Sequence, residues 1–219
     1  MGSKIVIVNF SYALVKGDAL NEGCMNGWYY DTQKGSLINS IRSYYPSISI
    51  DLIGLNEKIE LKFENHDDIG IARLPYIYSL FWSIIPFNII CFLYLIRLKP
   101  FLVIVFSGGE SYSYIGPLIY SKLFNLPFFM CLRNPPDSIC TFEHYSSIRM
   151  ILTRLIEHIC LKYSTIIIHI SEKSKQSLID SKELYSKSIV MGSSPNNCFY
   201  NMDRRVNKRK MDFQFVYWG

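Results

Sequence analysis

Hydrophobic positions along this chain fall into short unbroken runs, separated by longer stretches of helical period. The clearest case lies between Pro100 and Ser138. Phe101–Phe106 is an uninterrupted apolar run of strand length, and the polar turn Ser107-Gly-Gly-Glu110 follows it. A helix-length segment over Ser111–Asn125 leads to a second apolar run, Phe128–Leu132, and to the turn Arg133-Asn-Pro-Pro-Asp137. Runs without alternation belong to strands buried on both faces, as in a parallel sheet covered by helices. Ligands of such sheets sit at the carboxyl ends of the strands, so the two polar turns mark a candidate site.

The same alternation continues through the sequence. Strands are predicted over Lys4–Phe10, Ser49–Leu55, Ile69–Arg73, Phe101–Phe106, Phe128–Leu132, Thr165–Ile170 and Ser188–Met191. Helices are predicted over Gly27–Tyr44, Tyr76–Leu98, Ser111–Asn125, Ser147–Tyr163 and Glu172–Asp180. Pro117 is tolerated only in a first helical turn, which moves the start of the third helix towards Gly116. The expected class is α/β, a doubly wound parallel sheet of Rossmann type. Within Met150–Tyr163, Leu152, Leu155, Ile156 and Ile159 are assigned to one helix face, and Arg154, Glu157, His158 and Lys162 to the other.

Leu74–Leu98 carries no charge between Arg73 and Arg97, a length that would span a bilayer. Spanning would place strands of one sheet on opposite sides of a membrane, and Ser79, Ser83, Pro86 and Asn88 interrupt the apolar surface. Two readings remain open. One is a helix pair buried against the sheet. The other is peripheral membrane contact through 74–98, with Tyr76, Tyr78, Phe81 and Trp82 resting in the interface.

Composition narrows the class further. Of the 219 residues, 49% are hydrophobic and 19% charged, which suits a packed domain and excludes a disordered chain. Much of the net charge of +5 gathers at Arg204, Arg205, Lys208, Arg209 and Lys210, either a solvated linker or a phosphate or membrane contact. Six cysteines (Cys24, Cys91, Cys131, Cys140, Cys160 and Cys198) show no metal-ligand spacing, and several lie in apolar runs as small hydrophobes. No apolar signal core precedes Lys4–Phe10, so a reducing, cytoplasmic setting is expected. Phe213-Gln-Phe-Val-Tyr-Trp-Gly219 reads as a strand and a turn glycine. The expected organisation is a Rossmann-like domain over 1–200, a basic interdomain linker over 201–212, and the first strand of a truncated second domain over 213–219.

In this order of elements, several blocks resemble the N-terminal half of the family 4 glycosyltransferases of the GT-B fold. Lys99-Pro100 is similar to the lead into the family's fourth strand, and Gly116-Pro-Leu-Ile-Tyr120 with Phe124-Asn-Leu-Pro127 to its next helix and strand entry. Leu155-Ile-Glu157 through Ile168-His-Ile-Ser-Glu172, continued by Lys175 and Leu178, resembles a further block. Val190–Phe199 and Phe215-Val-Tyr-Trp-Gly219 resemble the end of the first domain and the opening of the donor-binding domain. The resemblance implies two doubly wound domains across a cleft, the N-terminal one holding the acceptor and the other most of the nucleotide-sugar. It also implies no cofactor and no metal, because protein donors and helix ends stabilise the leaving diphosphate.

Candidate site residues follow, each with a structural alternative. The loop over 11–26 and Gly27 stand where family members bring backbone to the donor diphosphate. Gly23 and Gly27 are the candidates there, with Asp18 for the acceptor, while glycines also serve any long turn. In Ser107-Gly-Gly-Glu110 the glycines are explained by a tight turn, whereas Glu110 suits either hydroxyl recognition or a helix start. In the turn after Leu132, the family often places a histidine that contacts the transferred sugar; Arg133 stands there instead. Arginine cannot act as a base but holds a phosphate or carboxylate bidentately, which points to an anionic acceptor or to a changed role for this position. Asn134 and Asp137 are candidates for sugar hydroxyls, while His144 reads as an ordinary surface histidine. Ser171-Glu172 is explained by helix capping alone.

The favoured expectation is therefore a transferase that moves a sugar from a nucleotide-sugar to a glycan or lipid-linked acceptor in polysaccharide biosynthesis. The chain would be its acceptor-side half, inactive alone. The alternative is a non-enzymatic module that docks on a membrane or a partner. A dinucleotide oxidoreductase is disfavoured by the lack of GxGxxG after the first strand, and nucleic acid by the lack of a motif or a broad basic face.

Overall fold

A computed structural model of the chain describes residues 4–12, 33–56, 60–66, 68–75, 84–107, 114–132 and 147–191. The chain divides into two compact units. One, Met1–Ala13 with Ile41–Gly192, carries the sheet; in the other, Leu14–Ser40 with Ser193–Gly219, the described residues are Gln33–Ser40 of one helix.

The strands are β1 (Lys4–Tyr12), β2 (Ser49–Asn56), β3 (Lys62–His66), β4 (Ile69–Pro75), β5 (Leu102–Ser107), β6 (Phe128–Leu132), β7 (Ile166–His169) and β8 (Ser188–Val190). The helices are α1 (Gln33–Tyr44), α2 (Pro86–Leu98), α3 (Ile115–Leu123), α4 (Ser147–Tyr163), α5 (Glu172–Gln176) and α6 (Lys182–Ser186). They form an eight-stranded sheet in the order β3-β4-β2-β1-β5-β6-β7-β8. Every pairing is parallel except that of β3 with β4. The doubly wound α/β class expected from the sequence is thus present, with one antiparallel edge strand added.

The apolar runs become buried rows across this sheet. Val8, Ile53, Ala72, Val105, Met130 and Ile167 are in register on one face. They join Phe87, Cys91 and Leu95 of α2, Leu118 and Tyr120 of α3, and Ile156, Cys160 and Leu161 of α4 in one hydrophobic core. Ile5, Ile7, Ile50, Leu52, Ile69, Ile71, Ile104 and Phe106 alternate with that face and are buried as well. Burial on both sides is what an apolar run without alternation requires. A buried carboxylate lies within the sheet: Asp51 accepts from Lys4 Nζ at 2.7 Å, beside Gly70. A Cβ on Gly70 would come within 2.6 Å of the Asp51 carboxylate, so the glycine makes room for that ion pair.

Several expected boundaries shift. Lys62–His66 is not expected as a strand because Lys-Phe-Glu-Asn-His is mostly polar; it pairs antiparallel with β4, and Glu64 Oε2 forms an ion pair with Arg73 Nη2 of β4 at 3.0 Å. The helix expected over Glu172–Asp180 ends at Gln176, and Ser181 caps a separate short helix by accepting from Leu184 N–H. Of the helix expected over Tyr76–Leu98, the described part is a helix over Pro86–Leu98, and Leu74 and Pro75 belong to β4. Among the described residues no helix is long and apolar enough to cross a membrane. The expected linker 201–212 and final strand 213–219 lie outside the described residues.

The face assignment of α4 is corrected. Leu155 and Ile159 are exposed, while Glu157 is 5% exposed and lies on the buried side with Thr153, Ile156, Cys160 and Leu161. Apolar residues occur on both sides of this helix, so periodicity alone did not select the side facing the sheet.

α2 and α3 lock together through one polar contact. Asn88, 6% exposed, donates from Nδ2 to the Ile84 carbonyl at 2.8 Å and accepts from Gly116 N–H at 2.6 Å. It thereby supplies the cap that Tyr114, the residue preceding α3, does not provide with its own side chain. A Cβ on Gly116 would lie 2.4 Å from the Asn88 carbonyl oxygen, a backbone atom that cannot swing away. Gly116→Ala is therefore expected to destabilise the fold by about 1–3 kcal/mol, even though alanine is the better helix former. Urea unfolding checks this; an unchanged midpoint would refute the close-approach explanation.

Candidate functional site

The chain begins at β1 in the middle of the sheet, builds outward through β2 and β4, then crosses to β5 and builds the other way. The direction of winding reverses between β1 and β5. In open α/β sheets ligands bind outside the carboxyl ends of the strands at such a switch point. β1, β5 and β6 are consecutive neighbours there, and strands in a sheet lie about 4.8 Å apart. Their carboxyl ends at Tyr12, Ser107 and Leu132 therefore stand side by side.

Every residue singled out for the site follows one of those three strand ends. Asp18, Gly23 and Gly27 come after β1, Glu110 after β5, and Arg133, Asn134 and Asp137 after β6. These residues, and His144, lie outside the described residues. What the fold fixes is the frame: three adjacent strand ends from which the three candidate loops depart.

That frame is pinned by side chains that sequence reasoning did not single out. Tyr114, fully buried, donates its hydroxyl to the carbonyl of Phe106 and so ties the start of α3 to the end of β5. Asn88 accepts from the Gly116 N–H at the amino end of α3 and so ties that helix to α2. The signal for Asn88 was present: an amide inside a charge-free apolar stretch must find partners when buried.

His169 closes the far side of the frame. It ends β7 directly opposite Leu132, the last residue of β6, and has no exposed surface. Ser188 Oγ donates to the Leu184 carbonyl at 2.8 Å and is left to accept from His169 Nε2 at 3.2 Å. Nδ1 then accepts from Ser174 Oγ at 3.0 Å, which assigns the neutral imidazole with its proton on Nε2. Burial, aided by the charge of Lys175, pulls this imidazole down to about 4 from an ordinary 6.5. With both nitrogens occupied, His169 orders the strand end and is not placed to act on a substrate. Ser171 accepts from Ser174 N–H at 3.2 Å, the capping role its sequence position suggested.

The described thiols are equally quiet. Cys91, Cys131 and Cys160 are buried and unpaired, and burial pushes Cys131 and Cys160 up to about 12, with Glu157 adding to the effect at Cys160. Among the described residues no group of His, Cys, Asp and Glu could hold a metal ion.

The same architecture recurs in solved structures. The chain is similar to a UDP-GlcNAc 2-epimerase from Neisseria meningitidis bound to UDP-GlcNAc, with TM-score 0.56, 14% identity, and coverage of 93% of this chain and 50% of that one. A UDP-N-acetylglucosamine 2-epimerase from Rickettsia bellii gives 0.55 at 14% identity over 94% of this chain and 49% of that one. A sucrose-phosphate synthase structure from Thermosynechococcus elongatus gives 0.54 at 11% identity, covering 92% of this chain and 95% of that one. These are proteins of the GT-B fold. The chain has a GT-B Rossmann-like fold. It spans about half the length of the two epimerases, and at these identities the likeness is one of fold. No family model matches the sequence, and no curated protein does.

In this GT-B frame, His169 sets a pH dependence. Its folded pKa lies below its unfolded one, so below pH 6.5 the unfolded chain takes up a proton that the folded chain refuses until about pH 4. Its contribution to stability is complete above 6.5 and is lost as pH falls through that window, by roughly 2–3 kcal/mol. His169→Gln is expected to flatten the fall between pH 6.5 and 4 in urea midpoints. An identical pH slope in the variant would remove His169 as its source.

Proposed function

We propose that this chain is the acceptor-side half of a nucleotide-sugar-dependent glycosyltransferase resembling family 4, transferring a sugar to a glycan or lipid-linked acceptor. The observation that carries the reading is the sheet order, which sets β1, β5 and β6 side by side at the switch point. The loops leaving them hold the polar residues that the sequence singles out. Two solved structures of the same fold, those of the epimerase with UDP-GlcNAc and of a Staphylococcus aureus protein with UDP, carry a sugar nucleotide or its nucleotide.

In this proposal Gly23 and Gly27 let backbone approach the donor diphosphate. Arg133 grips a phosphate or carboxylate of the acceptor bidentately, and Asp18, Glu110, Asn134 and Asp137 take hydroxyls. Catalysis then rests on holding donor and acceptor in line, with fixed dipoles stabilising the departing diphosphate and no metal required. In this reading residues 1–200 serve as the acceptor domain, and a donor-binding domain completes the enzyme. A second reading, a docking module without catalysis, is favoured by the exposed apolar side chains of α2, α3 and α4.

Residues 1–219 alone are expected to show no turnover with UDP-sugars and lipid-linked glycan acceptors. The product of the gene read beyond codon 219 is expected to transfer sugar, and Arg133→Ala there to lower kcat/KM at least about tenfold. Chromatography of the sugar nucleotide alongside the acceptor separates transfer from epimerisation. Transfer by the isolated chain, or an unchanged kcat/KM in the Arg133 variant, would overturn the assignment.

A further inference from the structure

The helix layer over one face of the sheet carries two apolar faces where a globular layer needs one. α2 buries Phe87, Cys91 and Leu95, and α4 buries Ile156, Cys160 and Leu161, against the strands. On their opposite sides Ile89 and Leu93 of α2, Ile119 and Leu123 of α3, and Ile151 and Leu155 of α4 are 51% to 66% exposed. These are not scattered single residues. An apolar cleft of about 470 Å³ joins α2 to α3 along Ile85, Ile89, Leu93 and Ile119. A second cleft of about 500 Å³ joins α3 to α4 along Ile119, Leu123, Ile159 and Tyr163. Ile119 lines both, so the apolar surface is continuous across three helices. Continuous exposed apolar surface of this kind marks an interaction site.

The charges on the layer indicate what covers it. Arg97, Lys122, Arg154 and Lys162 are exposed on these helices, and the one carboxylate in all three, Glu157, lies on the buried side. Lys122 and Lys162 both reach the ring of Tyr163, with Nζ atoms 5.3 and 5.8 Å from its centroid. Lys187 comes to the same corner, donating to the Lys162 carbonyl at 2.6 Å, with Glu183 at 3.8 Å as its counter-charge. The ammonium groups of Lys122, Lys162 and Lys187 gather at this corner, with Glu183 beside Lys187, and an anionic surface relieves such a local concentration of positive charge.

We propose that the α2–α3–α4 layer is a docking surface for an anionic lipid bilayer. The outward isoleucines and leucines enter the interface, and Arg97, Lys122, Arg154 and Lys162 meet lipid phosphates. Each cation near such a surface contributes about 1 kcal/mol, and apolar burial adds to it. The assignment is independent of the transferase reading, since vesicle binding requires no turnover. It also places the contact on three helices rather than on the 74–98 segment alone.

Co-sedimentation with vesicles of phosphatidylcholine, and of equal parts phosphatidylcholine and phosphatidylglycerol, tests it. The chain is expected to bind the anionic vesicles at low salt and to be released as salt rises. Ile89→Ser/Ile119→Ser/Leu155→Ser changes only exposed positions, so the circular dichroism is expected to stay unchanged while vesicle affinity falls at least about tenfold. Lys122→Glu/Lys162→Glu is expected to weaken binding and lower its salt dependence. Absence of wild-type binding at low salt, or equal binding by a folded triple-serine variant, overturns the proposal. So does sedimentation showing a dimer that the triple variant dissolves without any vesicle binding, which would assign the face to a second copy of the chain.

Discussion

Parallel pairing is the constraint from which the rest of this molecule follows. A parallel strand cannot be reached by a tight turn, so the chain must leave one edge of the sheet, cross over and return to the other. Here that requirement places helices over the strands and sends every parallel strand out at the same edge. The segments that follow β1, β5 and β6 in the sequence therefore leave the sheet from that edge. Reversal of the winding between β1 and β5 then parts two crossovers and leaves room above the middle strands. The location of a binding site is thus a by-product of how the strands are joined, before any particular side chain is chosen.

Much of this was legible in the sequence where burial was two-sided. Phe128–Leu132 and Ser147–Tyr163 have the limits that their patterns indicated, because an apolar run and a long amphipathic stretch each end where their periodicity ends. β3 was not legible: its sequence is mostly polar, and contacts distant in the chain give it a place, the ion pair of Glu64 with Arg73 on the neighbouring strand and the Phe63 ring stacked on Tyr94 of α2. The orientation of α4 was misread because isoleucine and leucine occur on both of its sides and nothing local says which side meets the sheet. His169 was hidden for a related reason. A histidine in an apolar strand looks like a loss until Ser174 and Ser188, one on a helix and one on another strand, are brought to its two nitrogens. The site residues themselves were suggested by position after a strand, and turn chemistry suits those residue types equally well, so sequence could name them without ranking them.

Stability and surface character pull apart in the helix layer. Its inward contacts follow the ordinary economy of a core, with inert thiols and aromatic rings filling the space between helix and strand. The outward side chains contribute nothing to that core, and an isolated water-soluble domain would gain solubility by replacing them. Their presence together with cations, on helices whose one carboxylate is turned inward, suits a face that is not always in water.

Asn88 has a consequence for how the layer assembles. Because α3 receives an amino-terminal hydrogen bond from a side chain of α2, neither helix end is complete without the other. The two helices are therefore coupled as one cooperative unit, and the Gly116 amide can exchange its hydrogen with solvent only when that pair opens. α3 follows β5 in the chain and α2 precedes it, so the same bond joins two crossovers across the strand that borders the switch point. Order at the carboxyl end of β5 is in this way tied to the helix layer through a single side-chain amide.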